Sequence, residues 1–133
     1  MADFQTARLP VAPTYQAPDG SEVRILLGVR GGGIAHFQLG PGLTSRAAAH
    51  RTVDEIWYVL SGQGEMWRAQ ENAQEEVVVA LVPGVCLTIP VGTRFQFRCL
   101  GGEALAIVGV TMPPWPGPEE AYEVEGKWTP TVV

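Results

Sequence analysis

Apolar and polar positions alternate along most of this chain, in short runs rather than long ones. Val23, Ile25 and Leu27 share one face of the run 22–27, and Ala35, Phe37 and Leu39 alternate with Ile34, His36 and Gln38 over 34–39. A period of two predicts strands. Over 54–60 the residues Ile56, Trp57, Tyr58, Val59 and Leu60 are apolar without a break, which predicts a strand covered on both faces. Further strands are expected at 65–69, 76–82, 85–89, 94–99 and 104–111, with a polar loop at 70–74. In 94–99 the alternation is cleanest, with Phe95, Phe97 and Cys99 against Arg94, Gln96 and Arg98. Glycine and proline punctuate the runs, as in Gly40-Pro41-Gly42, Pro83-Gly84 and Pro90-Val91-Gly92. The segment 43–50 is small and polar. Ala47-Ala48-Ala49 alone favours helix, but the adjoining segment 50–64 makes a strand the better reading. Eight or nine short strands with no long helix predict an all-β sandwich or barrel.

The flanks differ. Pro10, Pro13 and Pro18 make residues 1–20 an extended arm ending in the turn Pro18-Asp19-Gly20. Leu9, Val11 and Tyr15 suit an arm laid on a surface; a frayed terminus is the alternative. From Pro113 the tail 112–133 is rich in proline and tryptophan, which argues against regular structure. Trp115 and Trp128 then need a place to pack, on the outer barrel face or across a dimer interface.

Composition narrows the class. The chain has 133 residues, 46% hydrophobic and 17% charged, which fits one folded domain over 1–133 with a core at about 22–111. A net charge of −5 gives no basic footprint for nucleic acid. No amphipathic basic segment or bilayer-length apolar run points to a membrane. The first residues lack the basic and apolar regions of a signal peptide, and Cys86 and Cys99 form no disulfide framework. A cytoplasmic protein with free thiols is the expectation.

The chemistry gathers around His50-Arg51-Thr52-Val53-Asp54-Glu55, followed by the apolar strand and Gly62. Glu55 precedes Gly62 by the spacing of the pattern G-x5-H-x-H-x3,4-E-x6-G, with Gly42 as its first glycine. Gly84, Pro90 and Gly92 fit the companion pattern G-x5-P-x-G-x2-H-x3-N. Together these resemble the two cupin motifs, over roughly residues 22–111. The resemblance implies a double-stranded β-helix, or jelly-roll barrel, and commonly a homodimer. The segment around Trp57 resembles that of many small single-domain bacterial cupins without an assigned function.

The departures bear on function. The first motif histidine falls at Ala48, the third at Phe95, and the asparagine at Cys99, so His50 and Glu55 alone remain of four ligand positions. The chain has only two histidines, so it cannot build a three-histidine site. No metal is favoured; the one divalent transition-metal set that composition permits is His36, His50 and Glu55, if His36 points inward.

In the resemblance, ligand positions face the barrel interior, so Trp57 and Val59 follow Glu55 inward, and Phe95, Phe97 and Cys99 form the inward set of 94–99. Met66 and Trp67 are adjacent, so only one faces inward. An aromatic interior with few polar groups describes a small-molecule site, and a barrel filled by its own aromatics is the alternative. Burial raises the pKa of Glu55 unless His50 or Arg46 pairs with it. A His50–Glu55 pair can serve as a general base or as a structural hydrogen bond. Arg46, Arg51 and Arg94 either flank the mouth or are surface charge.

The expected function is metal-free binding of a small, fairly apolar molecule by His50, Glu55, Trp57, Phe95, Phe97 and Cys99. His50 and Glu55 are the catalytic candidates if a reaction occurs. The alternatives are an isomerase or lyase using those two residues, a metal-dependent oxygenase that adds His36, and a ligand-free dimeric module.

Overall fold

Period-two patterning becomes eleven strands in the computed structural model, which describes residues 3–70 and 75–132. In chain order they are β1 (Tyr15–Gln16), β2 (Glu22–Val29), β3 (Gly32–Leu39), β4 (Ala48–His50), β5 (Asp54–Ser61), β6 (Gly64–Ala69), β7 (Glu76–Leu81), β8 (Cys86–Ile89), β9 (Arg94–Cys99), β10 (Leu105–Met112) and β11 (Ala121–Glu123). No helix occurs among the described residues, so none is long and apolar enough to cross a membrane. The loop expected at 70–74 lies outside the described residues from 71 onward.

The strands form two antiparallel sheets, ordered β1-β2-β3-β10-β5-β8 and β11-β4-β9-β6-β7. Their inner faces enclose one apolar cluster that includes Leu39, Val59, Met66, Leu81, Phe97 and Leu105. This is the all-β jelly roll that the motifs imply. Met66 is the inward member of its pair. Trp67 faces outward into a second cluster with Ala47, Ala69, Val124 and Trp128.

On β5 the alternation is stricter than the unbroken apolar run predicts. Glu55, Trp57 and Val59 are buried, whereas Ile56, Tyr58 and Leu60 remain 39%, 47% and 44% exposed. An antiparallel sheet needs only one covered face, and this chain leaves the other partly open.

The strand expected at 43–50 shrinks to β4. Before it, Thr44 makes only an isolated bridge to Arg98. The chain there is held by single bonds instead: the Ser45 N–H donates to the Phe97 carbonyl at 2.9 Å, and the Ser45 hydroxyl accepts from the Phe97 N–H at 3.1 Å.

The flanks are more ordered than their prolines suggest. β1 adds an edge to the first sheet, and β11 pairs with β4 through Ala121↔His50, Tyr122↔Ala49 and Glu123↔Ala48. Gln96, fully buried on β9, anchors the tail. Its Nε2 donates to the carbonyls of Ser45 and Trp128, and its Oε1 accepts from the Trp128 N–H, each at 2.8 Å. Glu120 accepts from the N–H groups of Thr52 and Val53 and from the Thr52 hydroxyl. At the other end, Arg24 donates to the carbonyls of Pro10 and Val11 and so pins the arm across the sheet's outer face.

Replacing Gln96 leaves one buried and two half-buried backbone groups without partners, and each such loss at a buried site costs about 1–3 kcal/mol. Gln96→Leu is therefore expected to lower unfolding free energy in urea by at least about 2 kcal/mol and to expose Trp128. An unchanged midpoint would show that the tail contributes no stability.

Candidate functional site

The barrel interior is part core and part cavity. Toward one end Trp57, Phe95 and Phe97 meet edge to face, with ring centroids 5.0 Å apart for Trp57–Phe97 and 5.8 Å for Trp57–Phe95. Toward the other end a cavity of about 240 Å³ opens between the sheets. Its wall is mostly carbon. The polar side chains lining it are Tyr15, Asp19, His50, Glu55, Trp57, Thr111 and Trp115, with no lysine or arginine among the lining residues.

One glycine makes the cavity's back wall possible. Gly109 sits in the middle of β10, opposite Trp57. A Cβ there would run into the Phe37 ring and lie 3.1 Å from Trp57 Cδ1. Without it, Phe37 and Trp57 pack over the strand with centroids 5.4 Å apart.

Glu55 is 3% exposed, and its Oε1 accepts from Trp57 Nε1 at 2.5 Å. Burial pushes its pKa up to about 8. The Trp57 hydrogen bond pulls the other way, and the charge of Asp19 adds to the rise. His50 is wedged between Phe95 and Trp115, with ring centroids at 5.2 Å and 5.3 Å. Burial lowers its pKa to about 4, against the pull of Glu120, so it is neutral at physiological pH. Its Nδ1 is buried and has no partner among the described residues. His50 and Glu55 do not hydrogen-bond each other: the Trp57 indole takes the carboxyl, and Phe95 and Trp115 flank the imidazole.

Asp19 comes from the turn after β1. Its Oδ1 accepts from the Ser21 N–H at 2.9 Å and from the Ser21 hydroxyl at 2.7 Å. Burial raises its pKa; the Ser21 bonds and the nearby Arg46 oppose that rise. Tyr15 is raised by burial and then by the charges of Asp19 and Glu55. These groups therefore share a low-dielectric site in which protonation states are coupled.

Of the residues singled out in the sequence, His50, Glu55, Trp57 and Phe95 line the cavity, as does Ala48. Phe97 and Cys99 do not. β9 runs away from the mouth, so Phe97 and Cys99 fall in the packed core, where Cys99 Sγ donates to the Glu103 carbonyl. His36 is buried but does not line the cavity, to which β3 contributes Gly33, Ile34, Ala35 and Phe37. Its Cα partners are Arg24 and Val108. Arg46 donates to the Pro18 carbonyl, Arg51 lies over the Tyr122 ring and Arg94 over Trp67; none lines the cavity.

These positions decide how well the residues fit a metal. Ala48 and Phe95 offer carbon at two motif positions, His36 does not line the cavity, and Glu55 is held by Trp57. Among the described residues no group of three histidine, cysteine or carboxylate side chains gathers in a way that could hold an ion. The donor set does not fit a transition-metal centre.

Sequence reasoning missed Tyr15, Asp19, Thr111 and Trp115. Three of the four come from the arm and the tail, whose approach to the mouth no periodicity reports. The unplaced Trp115, beside prolines that hold it on an extended chain, was the available signal.

A cupin domain model matches residues 35–111 of the chain. No curated protein matches it. Among solved structures, the capsular polysaccharide assembling protein CapF from Staphylococcus aureus is 21% identical with a TM-score of 0.70, covering 93% of this chain and 33% of that one. The chain thus spans about a third of CapF's length. An uncharacterized conserved protein with a double-stranded β-helix domain from Klebsiella pneumoniae is 19% identical with a TM-score of 0.61, covering 83% of this chain and 89% of that one. The Drosophila melanogaster CENP-C cupin domain is 13% identical with a TM-score of 0.60, covering 70% of this chain and 66% of that one. At these identities the likeness concerns the fold alone.

Proposed function

The chain belongs to the cupin domain family, and from that premise we propose that it binds a small, fairly apolar molecule in its barrel without a metal. The observation that carries this reading is the cavity of about 240 Å³, walled by aromatic and aliphatic carbon around a few polar groups. That volume lies below the range of about 300–1,000 Å³ usual for drug-sized ligands, so the occupant is small. The two residues left from the ligand positions take on a different task here. Glu55, neutral below about pH 8, donates or accepts a hydrogen bond, and His50 adds a neutral imidazole to the wall.

A neutral probe, cyclohexanone, is expected to raise the Tm with concentration. Ala48→Leu, which places carbon in the cavity, is expected to cancel that rise. Stabilisation undiminished in the variant would overturn the assignment of this cavity. Near-stoichiometric iron, manganese, nickel or zinc in protein purified without chelator would overturn the metal-free reading.

The same reading has the chain acting as a homodimer in the cytoplasm. The half-exposed Ile56, Tyr58 and Leu60 on the outer face of β5 support self-association. Sedimentation is expected to give about twice the chain mass of 14.3 kDa; a monomer at micromolar concentration would reject it.

A further inference from the structure

We propose that the preferred occupant of this cavity is a small primary amine, bound as its ammonium with an aromatic or alicyclic body. The inference rests on the reading that the cavity binds small molecules, and it specifies the class of ligand.

Charge restricts the ligand first. Every ionisable side chain that lines the cavity is an acid or a neutral base: Asp19 from the turn after β1, Tyr15 from β1, Glu55 from β5 and His50 from β4. The nearest cations serve elsewhere. Arg46 approaches Asp19 from outside but donates to the Pro18 carbonyl, and Arg24 holds the arm on the outer face. Glu120 lies near His50 and is occupied by Thr52 and Val53. An anionic ligand would enter a desolvated site with two carboxyls and no positive partner, which is strongly unfavourable.

Hydrogen-bonding capacity points the same way. The carboxyls of Glu55 and Asp19 and the imidazole of His50, on a side chain that is 4% exposed, line one cavity with groups that accept hydrogen bonds. A primary ammonium carries three donors, whereas an alcohol carries one. The remaining wall adds the rings of Tyr15, Phe37, Trp57, Phe95 and Trp115, and aromatic faces attract a cation when water is excluded. Carboxylates with aromatic rings, and no cation, complement an organic cation.

Proton balance gives a signature. An ammonium favours the charged form of Glu55, so binding below pH 8 releases a proton from that carboxyl. A neutral ligand accepting from protonated Glu55 releases none and loses its donor above that pH.

Calorimetric titration of the full chain with benzylamine, benzyl alcohol and benzoate tests this, in phosphate and in Tris so that proton release is read directly. Benzylamine is expected to bind at least about tenfold more tightly than benzyl alcohol at pH 8, to release close to one proton at pH 7, and to gain affinity from pH 6.5 to 8. Benzoate is expected not to bind. Glu55→Gln should reduce benzylamine to the affinity of the alcohol, with Asp19→Asn as a second variant acting in the same direction. Benzyl alcohol equal to or tighter than benzylamine would overturn the amine assignment and leave the small-molecule reading intact. Benzylamine binding without proton release would also overturn it. No heat from any of the three, with no Tm rise from cyclohexanone, would overturn both.

Discussion

Glu55→Gln is expected to remove most of the alkaline instability of this protein. In the folded chain Glu55 keeps its proton to about pH 8, whereas an unfolded chain releases it near 4.5. The folded state therefore holds one more proton between those values, and stability falls as pH rises through that window. At about 1.4 kcal/mol per pH unit the full effect approaches about 5 kcal/mol, as an upper bound. His50 acts with the opposite sign. Its folded pKa is about 4 against an ordinary 6.5, so the unfolded chain holds the extra proton and stability rises with pH over that range. The two cancel between about 4.5 and 6.5, which gives a plateau. Above 6.5 only the carboxyl contribution remains, and wild-type protein is expected to lose about 2 kcal/mol by pH 8. The raised pKa of Asp19 adds a loss of the same sign as pH rises. Urea unfolding of wild type and Glu55→Gln across pH 5–9 checks this. Parallel curves for the two proteins would show that Glu55 is ionised in the folded state at neutral pH.

Trp57→Ala should be the most destabilising single substitution in the barrel. The side chain is 2% exposed and packs against Phe37, Phe95 and Phe97, from both sheets. Truncating a buried tryptophan costs about 3–5 kcal/mol through lost transfer energy and the void left behind. Here the void would merge with the existing cavity, and Glu55 would lose its hydrogen-bond donor. Trp57→Phe separates the two contributions. It keeps most of the packing but removes the N–H that holds the Glu55 pKa down. The alkaline loss of stability is then expected to shift to higher pH, with a far smaller cost in the plateau. If both variants unfold at the same denaturant concentration, the indole N–H matters more than its volume.

The strands and their inward residues were legible because burial on one face of a strand writes a period of two. That period found β9, an unbroken apolar run found β5, and the cupin resemblance chose Glu55, Trp57 and Phe95 as the inward residues of those strands. The period could not say how far along β9 the cavity extends, since Phe95, Phe97 and Cys99 carry the same signal whether they line a void or fill a core. Depth is set by what the opposite sheet supplies, here Trp57 lying over Gly109. Parity also leaves a single histidine ambiguous: His36 shows the pattern of its strand, but only the pairing of β3 with β2 and β10 fixes which face is inner. The mouth was least legible. Asp19 and Trp115 sit in proline-rich flanks whose positions are decided by Arg24, Gln96 and Glu120, partners far away in the chain.

Those distant partners govern when the site forms. Thr44 bonds Thr131 across 87 positions, Thr52 bonds Glu120 across 68, and Val132 packs against the turn at Gly20. Closing such long loops is entropically slow and is rewarded only after the intervening sheets exist. The barrel core can condense from hairpins near in sequence, such as β2–β3 and β6–β7, while the mouth must wait for both ends to arrive. During refolding, burial of Trp57 should therefore precede the packing of Trp115 on His50, and binding competence should appear as the last kinetic phase.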